Sequence, residues 1–270
     1  MRTTEVVLDG LAFPEAPRIR DGRLFLSDMH AHRVVALDPF EVVFQHDRPV
    51  SGLGWDREGR MLVVSMTDRL LLRDGEPFAD LSPYEPLQSN DMVVDAAGRA
   101  YVGGFGFHWS DEPRTTNLVL VQPDGTTSVA ADGLLFPNGA VITDDGRTLV
   151  VGETMASRLT AFDVDPGDGS LTNRRTWAHV ERMSPDGCCL DAEGCIWVAD
   201  PPHRKVVRLR EGGEVVDEVS TGEQLAIACM LGGTTLYVLT AGGLDAAGST
   251  ERRWGRVEVV EVDVPGAGFP

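Results

Sequence analysis

A short pattern recurs six times along the chain. Each copy has an apolar, strand-like run, a tight turn containing glycine, usually with an acidic residue beside it, and a second apolar run. The turn glycines are separated by 37, 39, 48, 48 and 38 residues, and a propeller blade of four strands typically repeats every ~40 to 50 residues. The repeat therefore predicts an all-β, six-bladed β-propeller. The glycines are Gly22, Gly59, Gly98, Gly146, Gly194 and Gly232.

A second pair of strand-like runs follows each turn. In the first copy these are residues 33–38 and 41–44, rich in β-branched and aromatic side chains between turn-forming residues. No segment shows a sustained 3.6-residue apolar period, so we expect few helices. Equivalent runs occur at 69–73, 118–122, 159–164, 206–210 and 257–262.

The two ends of the chain complement each other. Residues 257–264 form a third strand with no fourth strand after them, and residues 5–8 (EVVL) resemble the outer-strand run 41–44 (EVVF). An N-terminal strand that completes the last blade would close the ring and remove an open sheet edge. Two separate β-domains would need a linker rich in Ser, Pro or charge, which we do not find. We expect one domain over 1–270.

Charge and cysteine content exclude several classes of function. The chain has 42 acidic against 24 basic residues and a formal net charge of −18, which argues against nucleic acid and anionic membranes as partners. No apolar run approaches the ~20 residues that span a bilayer, and the start lacks the apolar core of a secretory signal. We expect a cytoplasmic protein with reduced, buried cysteines; the oligomeric state stays open. Cys188 and Cys189 would point to opposite faces of a strand, which disfavours a zinc site there.

Propeller topology predicts where a functional site would form. Loops that enter the innermost strands (A) and loops that join strands B and C must lie at the same end of the propeller. Residues just before each strand A therefore crowd around the axis, and two carboxylates and two amides meet there. Counting eight residues back from the turn glycines (from Gly233 in the last copy) gives Pro14, Ser51, Asn90, Asn138, Asp186 and Leu225. The first copy is one residue shorter, so Glu15 takes the place of Pro14.

This oxygen-rich ring suits a hard divalent cation. Calcium takes ~6 to 8 oxygen ligands, so Glu15, Asn138 and Asp186 with waters would leave open positions for a substrate. We expect calcium first, with zinc, manganese or magnesium as alternatives. The competing interpretation is that Asn138-Gly139 and Asp186-Gly187 are ordinary turn-forming pairs. Their shared axial position favours the metal, because buried unpaired carboxylates are costly.

The B–C loops should form the walls of the site. Residues 103–111 form a long, aromatic loop with several glycines, which is typical of a mobile lid. We expect the lid to cover 103–116 and His108 and Trp109 to contact substrate. Residues 242–255 form the other long loop. His30, His32 and His203 lie in shorter loops, either as acid–base groups or as solvated loop residues.

Four segments resemble the senescence-marker-protein/gluconolactonase (regucalcin-like) family. They are residues 13–17 (FPEAP), 89–99 (SNDMVVDAAGR), 136–139 (FPNG) and 184–187 (SPDG). The resemblance implies a six-bladed propeller with one axial divalent ion and lactone hydrolysis. On that pattern Glu15, Asn138 and Asp186 would hold the metal, and Asn90 would touch substrate with Asp91 beside it.

Two positions depart from the family pattern. Sugar-lactone members commonly carry Arg two residues before the Asn, where this chain has Gln88. Glycine often follows the Asn-Asp pair, where this chain has Met92. Both departures argue against a phosphorylated or strongly polar sugar substrate.

The sequence thus predicts a metal-dependent lactonase or related esterase acting on a small molecule. The metal would polarise the lactone carbonyl for attack by water. Asp186 is the first candidate for the general base and Asp91 the second, while Asn90, Gln88 and Ser51 would contact substrate. Two alternatives stay open: related chemistry at the same site (phosphotriester hydrolysis, cyclisation or isomerisation), and a non-catalytic scaffold. No Gly-x-Ser-x-Gly motif supports a serine hydrolase.

Overall fold

A computed structural model describes residues 2–108 and 110–268 as six sheets arranged as the blades of a propeller. The blades follow one another along the chain, and strands A to D run from the axis outward. Blades 1 to 3 are Pro14–Arg20, Arg23–Asp28, Arg33–Ala36 and Glu41–Gln45; Val50–Trp55, Met61–Ser65, Leu70–Arg73 and Glu76–Asp80; Gln88–Val94, Ala100–Phe105, Thr116–Val121 and Thr127–Leu134. Blades 4 to 6 are Pro137–Ile142, Thr148–Glu153, Arg158–Val164 and Leu171–His179; Cys188–Leu190, Ile196–Asp200, Lys205–Leu209 and Val215–Ser220; Leu225–Gly232, Thr235–Ala241, Gly255–Glu261 and Glu5–Leu11.

The N-terminal strand completes the last blade, as predicted. Glu5–Leu11 pairs antiparallel with Gly255–Glu261, so the ring is closed by joining the two ends of the chain in one sheet. Arg2–Thr3 adds a further strand, parallel to the outer strand of blade 5. A strand of only two residues is too short to show a periodic pattern, so the sequence does not predict it.

The six hairpin turns lie where the repeat predicts them. The turn glycines of the first five copies have φ between +69° and +81°, in the region that glycine adopts without strain. In the last copy the left-handed residue is Gly233 (φ +64°), and Gly232 is still part of the inner strand. The assignment of Gly232 as the turn glycine was therefore wrong by one residue.

Helical segments are few and short among the residues described. One α-helix, Ala246–Arg252, lies in the B–C loop of blade 6, and Asp245 caps it by accepting the Gly248 N–H. Three single turns of 3₁₀ helix lie in other B–C loops, at Met29–Ala31, Thr154–Ala156 and Pro201–His203. None of the helices in the described ranges is long and apolar enough to cross a membrane.

The core fills the spaces between neighbouring blades. Side chains alternate along each strand, so each inner strand buries apolar residues against the blades on both sides. Trp197 and Tyr101 are among the largest fully buried side chains. All four cysteines are buried and free, as predicted, and the Sγ atoms of Cys189 and Cys229 are 3.9 Å apart between blades 5 and 6.

Candidate active site

A cavity of about 530 Å³ opens at the end of the propeller that carries the B–C loops. Five of the six predicted ring residues line it. The sixth, Ser51, is fully buried and its Oγ donates a 3.2 Å hydrogen bond to Asn90 Oδ1. We call the polar members that line the cavity the floor residues: Glu15, Asn90, Asn138 and Asp186.

The pairing of the inner strands is irregular at three of these residues, Glu15, Asn90 and Asn138. In blade 1, Glu15 and Arg18 are three positions apart, whereas their partners Ser27 and Phe25 are two positions apart. The same one-residue excess occurs in blades 2, 3, 4 and 6. Such a β-bulge bends the strand and re-aims a side chain. The repeat pattern does not predict these bulges.

Two glycines let the inner strands approach closely. Gly139 lies inside strand Pro137–Ile142 and Gly187 directly precedes strand Cys188–Leu190, and neither has a positive φ. A β-carbon at Gly139 would overlap the carbonyl oxygen of Asp186 and lie 2.7 Å from the Cα of Gly187. The interpretation of these glycines as ordinary turn residues is therefore wrong; they are needed for close packing at the axis.

A chain of hydrogen bonds links the floor residues. Asn90 Nδ2 donates to Asn138 Oδ1 at 3.2 Å, and Asn138 Nδ2 donates to Asp186 Oδ1 at 2.7 Å. Asn138 Nδ2 also lies 3.2 Å from Thr154 Oγ1, which itself donates to the Pro185 carbonyl at 2.7 Å. Asn138 Nδ2 therefore serves two acceptors, and the Asp186 carboxylate is the final acceptor of the branch that starts at Asn90.

The two floor carboxylates destabilise each other's charge. Burial raises the pKa of Glu15 well above its ordinary value, and the nearby carboxylates of Asp186 and Asp91 raise it further. Burial, followed by the charge of Asp91, raises the pKa of Asp186 to about 8, against the hydrogen bond from Asn138. A divalent cation between these oxygens would favour the ionised forms.

The donor set fits such a cation. It consists of the buried Glu15 carboxylate, the half-buried Asp186 carboxylate and two amide oxygens, and oxygen is the ligand type that calcium and magnesium prefer. Within the described residues, no group of three His, Cys, Asp or Glu side chains is arranged to hold a metal. The candidate site therefore depends on the amide oxygens of Asn90 and Asn138.

Asp91 lies beneath the floor and does not line the cavity. Its Oδ1 accepts the Met92 N–H at 2.8 Å and is 3.7 Å from Nη2 of Arg18. Arg18 is buried too, and its Nη1 donates to the Pro17 carbonyl at 2.8 Å. Asp91 follows Asn90 in the bulged part of the inner strand, and of the two only Asn90 lines the cavity.

Acidic residues at the ends of three B strands tie down the loops that lead to the predicted ligands. Asp28 Oδ1 accepts the N–H groups of Ala12 and Phe13 at 2.8 and 2.9 Å, just before Glu15. Glu153 Oε2 accepts the Leu135 N–H at 2.9 Å, just before Asn138.

The third of these acids is Asp200, in blade 5. Its Oδ1 accepts the Ser184 N–H at 3.1 Å, just before Asp186, and its Oδ2 is 2.8 Å from His203 Nδ1. The repeated acid at the end of strand B was visible in the sequence, but its role in anchoring the loops was not predicted.

Only some of the other side chains that were predicted to lie at the site line the cavity. Gln88 and His30 line the cavity, whereas His32 and His203 are not among its lining residues. His108 is exposed and does not line it either, so its predicted contact with substrate is not seen. Trp109, predicted with it, lies outside the described residues.

The fold and this cavity define a six-bladed propeller with carboxylates and amides at the axis. The chain belongs to the SMP-30/gluconolactonase/LRE-like family, whose model matches residues 13–242. It is 32% identical over 164 residues to regucalcin from Danio rerio, covering 58% of this chain but only 56% of that protein.

Two further relatives cover more of the chain. Pentonolactonase XacC from Haloferax volcanii is 27% identical over 263 residues, which cover 92% of this chain and 88% of that protein. The crystal structure of a calcium-binding protein, regucalcin, from Agrobacterium tumefaciens superposes with a TM-score of 0.79 at 19% identity, covering 100% of this chain and 97% of that one. The latter likeness concerns the fold.

Proposed function

We propose that this protein hydrolyses lactones at a divalent cation held by Glu15, Asn138 and Asp186. The observation that carries the proposal is the meeting of a buried carboxylate (Glu15), a half-buried one (Asp186) and two buried amides on the floor of an open cavity. The pentonolactonase among its relatives supports the reaction type, and the calcium-binding regucalcin supports calcium as the cation.

The bound cation would supply Lewis acidity, which stabilises negative charge as it forms on the lactone carbonyl oxygen. Asp186 would accept the proton of the attacking water, since it is a floor carboxylate and ends the hydrogen-bond chain. Asn138 and Asn90 would hold it in position, with Ser51 behind them. Asp91, beneath the floor beside Arg18, would act through its charge and not as the base.

Lactone hydrolysis before and after chelation tests this proposal. Ring opening releases a proton and is followed by pH-stat on a lactone panel for the wild type, Asp186→Ala and a control, Asp144→Ala. Asp144 is exposed and lies in the hairpin turn of blade 4. We expect chelator-sensitive turnover that Asp186→Ala abolishes and the control retains. Equal turnover in all three proteins, or no turnover in any of them, would overturn the proposal. Turnover that chelation does not affect would show that the reaction does not need the cation.

A further inference from the structure

The wall of the cavity differs in chemistry from its floor. Above the floor residues, aromatic, methionine and leucine side chains surround the space, and among the described lining residues there is no lysine or arginine. The polar side chains other than the floor residues are His30, Gln88, Thr154 and Ser184. The apolar wall consists of Phe13, Met29, Met66, Phe105, Phe136, Met155, Leu225 and Leu244.

This wall is packed before any ligand arrives. Most of its residues belong to one buried apolar cluster that spans several blades. The ring centroids of Phe105 and Phe136 are 4.1 Å apart, and those of Phe13 and His30 are 4.7 Å apart. The cavity therefore offers a preformed apolar surface, the usual character of a small-molecule site.

His30 adds little polarity to the wall. Burial lowers its pKa, which favours the neutral imidazole. Its Nδ1 is buried without a hydrogen-bond partner among the described residues. One neutral imidazole can donate or accept a single hydrogen bond at each nitrogen, which is far less than several hydroxyl groups require.

The size and rim of the cavity extend the apolar surface outward. Its volume of about 530 Å³ leaves room for more than a lactone ring, because sites of ~300 to 1,000 Å³ hold drug-sized ligands. Leu244 lies at the rim, in the loop before the helix, and is 57% exposed. A substituent attached to the lactone ring would contact apolar side chains along the whole depth of the cavity, from its floor to its opening.

We infer that the substrate is a lactone with an apolar alkyl or aryl substituent, whose ester group faces the floor and whose substituent packs against the wall. This inference rests on the proposed lactone hydrolysis. Hydroxyl groups of a ligand would lose their hydrogen bonds to water when buried against this wall, because the wall offers no replacement. Each methylene group buried there instead gains free energy by leaving water.

The test compares matched lactones on the full chain supplied with calcium. The probes are δ-hexalactone, δ-octalactone and δ-decalactone, which differ only in alkyl length, and δ-gluconolactone, which carries hydroxyls. We expect kcat/KM to rise about threefold to fourfold per methylene. δ-Decalactone should exceed δ-gluconolactone by at least about 100-fold.

Leu225→Asn places a polar group of similar size on the wall. We expect it to reduce the decalactone-to-gluconolactone ratio at least tenfold, whereas Val42→Asn, on an exposed outer strand of blade 1, leaves the ratio unchanged. Faster turnover of δ-gluconolactone by the wild type would overturn this inference and keep the lactonase. If no lactone turns over, the proposed function fails. Calorimetric binding of δ-decalactone and δ-gluconolactone then still tests whether the wall prefers an apolar ligand, and tighter binding of δ-gluconolactone would overturn that preference.

Discussion

Asn138 Nδ2 donates a 2.7 Å hydrogen bond to Asp186 Oδ1, across two neighbouring blades and 48 residues of sequence. This contact joins two of the six positions that the repeat places on the axis, and it orients the carboxylate that we propose as the base. Around it, burial and like charge raise the pKa of both floor carboxylates. Binding of a proton or of a cation at these carboxylates is therefore favoured.

Asn138→Asp should make stability more dependent on calcium. A third buried carboxylate adds repulsion to the metal-free chain, and calcium relieves it. We expect a lower Tm in chelator and a larger calcium-induced rise in Tm than in the wild type, measured by thermal unfolding. Asn117→Asp removes an amide bound to the Tyr84 carbonyl outside the cavity, so its calcium-induced rise should equal that of the wild type. An equal rise in Asn138→Asp would contradict the assigned site.

Glu153→Gln should weaken both stability and the site. Glu153 is fully buried, accepts the Leu135 N–H and pairs with Arg158 at 2.8 Å. Removing its charge leaves a poorly paired guanidinium, and we expect a loss of about 1 to 3 kcal/mol in urea unfolding. Weaker calcium binding should accompany it. The surface residue Glu193 pairs with Arg208, and Glu193→Gln should change neither quantity by more than about 0.5 kcal/mol.

Gly139→Ala tests the close approach of the inner strands. A β-carbon there would overlap the Asp186 carbonyl oxygen, so we expect a loss of at least about 1 to 3 kcal/mol and impaired calcium binding. Gly243→Ala is the control, because the nearest atom to its β-carbon is 3.8 Å away. Equal stability of the two variants would show that Gly139 is not needed for packing.

Glu85 should make the fold less stable as pH rises. It is fully buried, and burial raises its pKa from 4.5 to about 8. One carboxyl oxygen accepts from Thr116 Oγ1 at 3.2 Å, and the other has no hydrogen-bond partner among the described residues. The folded chain thus holds this proton more tightly than the unfolded chain does. Between pH 5 and 8 the residue should lower stability by up to about 1.4 kcal/mol per pH unit.

Glu85→Gln keeps the shape and removes the charge, so it should flatten this slope in urea unfolding measured from pH 5 to 8. The matched control is Glu76→Gln on an exposed strand position of blade 2, which should retain the wild-type slope. A wild-type slope in Glu85→Gln would show that the buried carboxyl is not the titrating group.

Periodicity predicted the blades, their order and the joining of the chain ends, because hairpins and alternating strands leave a local signal. The positions around Glu15, Asn138 and Asp186 followed from topology, since equivalent residues of a closed ring must meet at its axis. Their roles, like the lid, the cytoplasmic location and the single domain over 1–270, remain predictions.

Several features could not be predicted because they depend on contacts between distant segments. The bulges at Glu15, Asn90 and Asn138 each add one residue to the inner strand, and no local pattern marks them. Arg18 reaches Asp91 across 73 residues of sequence. The apolar wall combines side chains from loops of different blades, so its character appears only once the loops are placed together.

Calorimetric titration of the chelated protein with calcium tests the central claim most directly, because it reads the site without requiring turnover. The wild type should bind one calcium ion per chain. Asp186→Asn, which keeps the side-chain shape and removes one charge, should lower the affinity at least tenfold. Equal calcium binding by the wild type and Asp186→Asn, or no binding by either, would contradict the proposed axial cation site.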